Sequence, residues 1–149
     1  MPLVKPILSF SHRARASSYQ PELLEHFVTA GLPNCLAIAT KYNAELASLP
    51  AVEITILGSR AMAKVHREFL GIPGPTDVIT FPYGEILVCA PVDAERAKEF
   101  GHDTTTELAL YAIHGLLHLS GHNDTTPTKF QRMAATQEKI LAEVLKFKR

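Results

Sequence analysis

Two histidines four residues apart, His114 and His118, are the residues whose type and spacing best predict chemistry in this chain. Residues i and i+4 lie one above the other on a helix, so both imidazoles can reach one cation. Gly121 follows and can end the helix in a left-handed conformation, after which the chain can turn back. His122 and Asp124 are then both candidates for a third ligand. This pattern predicts an open tripodal metal site that leaves a coordination position for water or substrate.

The residue after the first histidine restricts the reaction. In His-Glu-x-x-His peptidases a glutamate at that position is the general base, whereas here the position is Gly115. A peptidase mechanism is therefore disfavoured, although a bound divalent ion could still polarise a scissile bond or deliver hydroxide near neutral pH. Glu107 lies earlier in the same segment, and its spacing from Thr104 predicts a capping box rather than a catalytic role.

The helix that begins at Thr104 must hold the histidines, and the other elements must support it. We predict an α/β (α+β) sandwich, in which a small mixed sheet of about four strands carries packed helices and the metal-bearing helix is central. The first long helix is expected to divide in two at Gly31-Leu32-Pro33. Ser59 is expected to cap the helix predicted over 60–69. Phe130 is expected to belong to the buried apolar stripe of the last helix. The predicted strands are 6–11, 51–57, 76–81 and 84–90, the last two forming a hairpin, and the predicted helices are 21–41, 60–69, 92–100 and about 128–147.

Composition sets the class of protein. With 149 residues and 46% hydrophobic content, we expect a single domain over 1–149. The chain has no apolar run near the ~20 residues that cross a bilayer, and the basic N-terminus is better interpreted as a first strand than as a targeting peptide. Cys35 and Cys89 are too few for a disulfide framework, which fits a cytoplasmic location.

The formal net charge is +0, from 15 basic and 15 acidic side chains, so composition gives no basic footprint for a nucleic acid. Short basic clusters occur at 12–15, 64–67 and 146–149. Only a fold that brought the first two together would form a basic groove.

Three blocks of the chain resemble the YbeY family of bacterial metal-dependent endoribonucleases. Residues 114–121, His-Gly-Leu-Leu-His-Leu-Ser-Gly, match the first eight positions of its hallmark His-Gly-x-Leu-His-Leu-x-Gly-Tyr-Asp-His. Residues 76–82, Thr-Asp-Val-Ile-Thr-Phe-Pro, resemble its Thr-Asp-Val-Leu-Ser-Phe-Pro strand, and Gly84-Glu85-Ile86 resembles its Gly-Asp-Ile start. Arg67 corresponds to the arginine of its Tyr-Arg pair. The similarity in order and spacing runs from about residue 5 to the C-terminus.

The resemblance implies a function and a set of site residues. It implies cleavage of single-stranded RNA in 16S ribosomal RNA 3′-end processing, one Zn²⁺ per chain, and the ribosomal RNA and small ribosomal subunit as partners. It implies catalytic roles for His114, His118 and Arg67, the arginine countering charge on the phosphate. A ribosome-assembly binding factor with a structural metal, or a metal-dependent hydrolase of another substrate, is the alternative interpretation.

The end of the hallmark differs here, because Tyr-Asp-His is replaced by His122-Asn123-Asp124. Position by position, the third metal ligand becomes Asp124, and two histidines with one carboxylate are an ordinary zinc or iron set. His122 is the rival ligand, since it would continue the helical stripe if the helix ran through Gly121. We favour Asp124 because Gly121 should end the helix.

Overall fold

Four strands form one mixed sheet in the computed structural model, which describes residues 5–15 and 18–146. The order across the sheet is β1-β2-β4-β3, with β1, β2 and β4 parallel and β3 antiparallel to β4. The predicted mixed sheet and the hairpin at its edge are confirmed. The strands are β1 (Ile7–His12), β2 (Ala51–Leu57), β3 (Val78–Phe81) and β4 (Glu85–Cys89).

Five α-helices and a short 3-10 helix, Glu45–Ala47, complete the described fold. The α-helices are α1 (Pro21–Tyr42), α2 (Ser59–Leu70), α3 (Ala90–Phe100), α4 (Thr104–Leu119) and α5 (Pro127–Leu145). Helix α4 is central, as predicted, since it packs against α1, α3, α5 and the hairpin strands. Within residues 5–15 and 18–146, every helix is too short or too polar to cross a membrane.

The two faces of the sheet are covered by different helices. Ile86 points toward α4 and belongs to the main core, whereas its neighbour Leu87 packs with Met62 of α2. Successive side chains of a strand point to opposite faces, so α4 and α2 lie on opposite sides of the sheet. The face that carries α4 is the one that positions the histidines.

Gly115 allows α4 to lie directly against the hairpin. A Cβ atom at this position would lie 2.8 Å from the Ile86 side chain and 2.9 Å from Thr80 Oγ1. These distances are shorter than van der Waals contact, so any larger residue would push the helix outward. Gly115, which stands where a peptidase has its catalytic glutamate, thus also determines how closely the neighbouring His114 lies to the sheet.

Helix α1 does not divide at Gly31-Leu32-Pro33, and that prediction was wrong. It runs unbroken for 22 residues with Pro33 on its exposed side. A proline inside a helix costs about 3 kcal/mol, but burial of one large apolar side chain returns roughly 1.5–3 kcal/mol. Several such side chains on α1 are buried: Leu24, Phe27, Val28 and Leu32.

Two predicted caps are shifted by one residue. The N-cap of α4 is Asp103, whose side chain accepts a hydrogen bond from Thr106 N at 2.8 Å, and Thr104 is already helical. Aspartate is a stronger N-cap than threonine, so the helix begins one residue earlier than predicted. Glu107 consequently is not part of a capping box. The N-cap of α2 is Gly58 instead of Ser59.

Phe130 does not join the core, contrary to the prediction. It is 58% exposed, whereas Met133, Ile140 and Val144 of the same helix are buried. The first six residues of α5 are all exposed. This end of the helix extends past the elements that would cover it, which leaves the Phe130 ring at the surface.

Candidate metal centre

The structure brings His114, His118 and Asp124 together. The two histidines lie on one face of α4, with their Nε2 atoms 3.1 Å apart. One ligand atom from each of the three residues lies within 4.8 Å of the others. Two imidazole nitrogens and one carboxylate oxygen that converge in this way are a donor set that zinc accepts. The residues present therefore fit a divalent metal ion.

The turn after α4 determines which residue completes the group. The helix ends at Leu119, and Gly121 has a φ of +100°, a conformation that favours glycine. Backbone N–H groups of Gly121 and His122 bond to carbonyls of the last helical turn. The chain then reverses and returns Asp124 to the histidines. Among the described residues, His122 is not part of this three-ligand group, although it lines the same cavity. The assignment of the third ligand stays a prediction.

Gln137 of α5 orients the first histidine. His114 Nδ1 lies 2.8 Å from Gln137 Oε1. Because an amide oxygen only accepts, Nδ1 donates in this hydrogen bond, and the other ring nitrogen, Nε2, faces His118. Such an outer hydrogen bond is how proteins fix the tautomer and direction of a metal-ligating histidine.

Burial lowers the pKa of His118, and the neighbouring His114 lowers it further, while Asp124 opposes both. The imidazole is accordingly held in its neutral form at neutral pH. Neutral imidazole is the form that binds a metal.

Two cavities meet at this group. The first, here called the metal cavity, has a volume of about 580 Å³, and the second cavity has about 590 Å³. They share four lining residues: Asp77, Val78, His114 and Asp124. The metal group therefore lies at the boundary of a long cleft between α4, β3 and α5.

Three residues of this cleft have roles that sequence reasoning missed. Glu45 lines the metal cavity, Arg96 lines the second cavity, and Gln137 holds His114. Glu45 and Arg96 stand far from the histidines in sequence and in no recognisable motif. Gln137 was predicted only as part of a core helix. The sequence around each of these three residues contains no local pattern that could have identified its role.

Arg67 is not brought to the histidines. It lies on α2, which packs on the opposite face of the sheet, its side chain is exposed, and it lines neither cavity. The guanidinium group that does line the cleft belongs to Arg96, whose Nη2 lies 3.8 Å from Asp77 Oδ2. The catalytic role implied for Arg67 stays a prediction.

A buried acidic cluster lies at the inner wall of the second cavity, which Glu107 lines. Glu107 is fully buried, and its Oε1 lies 2.7 Å from His102 Nδ1. Asp93 is also fully buried, and neither of its oxygens has a hydrogen-bond partner among the described residues. Burial raises the pKa of Asp93 to about 10, with Asp77 and then Glu107 adding to the increase. Asp93 is thus a neutral carboxylic acid at pH 7.

Comparisons with known proteins identify the family. Residues 16–145 match the family described as Endoribonuclease YbeY. The Mycobacterium bovis protein of that name is 35% identical over 63% of this chain, and the match spans 65% of the relative's length. The Mycolicibacterium smegmatis protein is 31% identical over 74% of each chain.

A solved structure gives the same result at the level of the fold. The solution structure of a Thermotoga maritima protein superposes with a TM-score of 0.63 at 29% identity, covering 93% of this chain and 89% of that one. The fold class predicted from the sequence is confirmed by this likeness. The family match covers nearly the whole described chain, including the histidines of α4. The chain belongs to the YbeY endoribonuclease family.

Proposed function

We propose that this protein is a metal-dependent endoribonuclease that cleaves single-stranded RNA. The observation that carries the proposal is the His114, His118 and Asp124 group at the boundary of an open cleft, in a chain of this family. When bound, a zinc ion would supply Lewis-acid polarisation of a phosphate oxygen and would acidify a water molecule. His114 and His118 would hold the ion from the rigid helix, and Asp124 would close the tripod from the loop.

Glu45 is the residue we propose to take a proton from the attacking group. Asp77 also lines the metal cavity, but Oδ1 accepts from Val78 N at 2.7 Å and Oδ2 faces Arg96. Glu45 is exposed, and among the described residues its carboxylate has no hydrogen bond or ion pair. A positioned general base typically contributes about 10²–10⁴ in rate. Glu45→Gln should therefore lower RNA cleavage at least tenfold without changing the metal content, and an unchanged rate would remove this role.

The metal centre can be tested by elemental mass spectrometry on protein purified without added metal. We expect about one zinc ion per chain in the wild type and its loss in Asp124→Ala. His122→Ala is the matched control, since it removes the rival ligand from the same loop and should retain the metal. Loss of zinc from His122→Ala and retention in Asp124→Ala would reverse the assignment.

RNA cleavage is the test of the function. A single-stranded oligonucleotide that copies the 3′ end of a 16S ribosomal RNA precursor should be cut by the wild type in the presence of zinc. His118→Ala should not cut it. A wild-type protein that holds zinc and cuts no RNA at any zinc concentration would contradict the proposal and favour an assembly factor with a structural metal.

The wider setting follows from the same proposal. We propose that one domain performs the reaction in the cytoplasm, on ribosomal RNA presented with the small ribosomal subunit. Because the chain has a formal net charge of +0, contacts with phosphates must come from local groups. The salt dependence of RNA binding measures the number of those contacts, because its slope is proportional to the number of phosphates neutralised.

A further inference from the structure

Exposed aromatic rings line the second cavity. Phe100 ends α3 and is 62% exposed, and Phe130 in the first turns of α5 is 58% exposed. Both line the cavity, together with the half-buried Tyr111 of α4. A single exposed phenylalanine requires no explanation. Two at the mouth of a cavity of ligand size, next to a candidate metal group, indicate a surface that binds a flat apolar partner.

The charges of the second cavity disfavour a phosphate there. Arg96 is the single Lys or Arg side chain among the described residues that line it, and it already faces Asp77. The acidic side chains that line the cavity outnumber it: Asp77, Glu107, Asp124 and Glu138. A phosphate would be repelled by these groups, whereas the amino and ring N–H groups of a nucleobase donate hydrogen bonds to carboxylates. The cavity therefore suits the base of a nucleotide, with its phosphate lying elsewhere.

The phosphate of that nucleotide would lie at the metal group. His114 and Asp124 line both cavities, so the boundary between the two is the metal site itself. A base in the second cavity would place its adjoining backbone beside these residues. Gln137 also lines the second cavity while its amide oxygen accepts from His114. Its amide N–H₂ is then available to a ligand in the cavity.

We propose that the second cavity binds a base of single-stranded RNA next to the phosphate to be cut, by stacking on Phe100 and Phe130. This inference rests on the proposed function, since it names how that site selects its substrate. Any base can stack on an aromatic side chain, whatever its identity. The cavity therefore gives preference for unpaired RNA over duplex, because a paired base cannot enter it.

Equilibrium binding of two labelled probes, whose linkages are chemically protected from cleavage, tests the inference on the zinc-loaded protein. One probe is a short single-stranded RNA, and the other is an abasic ribose-phosphate oligomer of the same length. The wild type should bind the RNA at least about tenfold more tightly than the abasic probe. The double variant Phe100→Ala/Phe130→Ala should lose most of this preference while its affinity for the abasic probe is unchanged.

The matched control is Phe69→Ala/Tyr83→Ala. These rings are 64% and 67% exposed, and they line a different cavity on the α2 side of the sheet. The control should retain the preference of the wild type. Because all four rings are exposed, both double variants should fold, which thermal melting checks. An unchanged preference in the Phe100/Phe130 variant, or an equal loss in the control, would overturn the inference.

The same proteins separate this inference from the proposed function. If the wild type prefers RNA over the abasic probe but cuts nothing with zinc, the nuclease proposal fails and the base site stands. If the wild type cuts RNA and the Phe100/Phe130 variant binds and cuts as the wild type does, the nuclease stands and the base site fails.

Discussion

Replacement of Asp93 by asparagine should make the protein more stable at neutral and alkaline pH. The carboxyl group is fully buried, and neither oxygen has a hydrogen-bond partner among the described residues. Burial, together with the negative charges of Asp77 and Glu107 and against the opposing charge of Arg96, raises its pKa to about 10. The folded protein must therefore keep this group protonated, whereas the unfolded chain ionises it above about pH 4. Asparagine has nearly the same shape and no proton to lose.

The sign and size of this pH-dependent effect on stability follow from proton linkage. Between about pH 4 and pH 10 the folded state binds one more proton at Asp93 than the unfolded state does. The contribution of Asp93 to the free energy of unfolding must then fall as pH rises, by about 1.4 kcal/mol per pH unit. From pH 5 to pH 8 this amounts to about 4 kcal/mol from this one group. The stabilisation that Asp93 contributes is fully present below the pKa of this group in the unfolded chain, and it is lost as pH rises toward its pKa in the folded protein.

The assay is urea unfolding of the wild type and Asp93→Asn at intervals from pH 5 to pH 8. The difference in unfolding free energy between the two proteins isolates Asp93, because histidines such as His118 titrate in both. This difference should increase in favour of the variant by about 1.4 kcal/mol per pH unit. Asp103→Asn, at the exposed N-cap of α4, is the control and should give no such trend. Parallel pH profiles for the wild type and Asp93→Asn would refute the reasoning.

Two further substitutions test the packing and the charges around the cleft, and a third tests Arg67 on the opposite face of the sheet. Gly115→Ala would place a methyl group 2.8 Å from the Ile86 side chain and should cost about 1–3 kcal/mol of unfolding free energy; a fully stable variant would show that α4 is not held at this depth. His102→Ala would leave the buried Glu107 without the partner 2.7 Å away. The free energy of unfolding, measured in urea, should fall by roughly 3 kcal/mol. An unchanged free energy would contradict the pairing. Arg67→Ala should leave kcat/KM for RNA unchanged, because the exposed side chain lies outside both cavities; a fall in kcat would support the catalytic role that the resemblance implies.

The elements that depend on local pattern were predictable from the sequence. The strand at 51–57 and the hairpin were identified from β-branched residues and turn residues, and both are confirmed. The two histidines were identified because i, i+4 spacing has a geometric consequence that no later packing changes. The placement of Asp124 followed from Gly121, whose left-handed conformation the structure contains.

The failures occurred where distant contacts determine the outcome. Pro33 signals a helix break, but the burial of α1 against α4 and α5 outweighs that signal. Phe130 has the spacing of a core residue, yet its burial depends on a partner element that does not cover that end of α5. Glu45 enters the metal cavity from another part of the chain. No periodicity within one segment contains such information.

One face of α4 connects both halves of the cleft. Glu107, Tyr111, His114 and His118 follow the spacing i, i+4, i+7, i+11, which is a single helical stripe. The first two line the second cavity, the third lines both, and the last lines the metal cavity. At 1.5 Å per residue, Tyr111 and His118 are separated by about 10 Å along the axis. A strand of RNA lying along this face would meet the aromatic cavity and the metal group in succession.

This arrangement also explains why sequence reasoning identified only one half of the cleft. Histidines at helical spacing are recognisable by type, because few other roles require them in that order. The aromatic residues of the other half, Phe100, Tyr111 and Phe130, are of the same type and spacing as residues that build a core. Only their exposure to a cavity distinguishes them. Exposure is a property of the assembled fold, so the base-binding half could be proposed only from the structure.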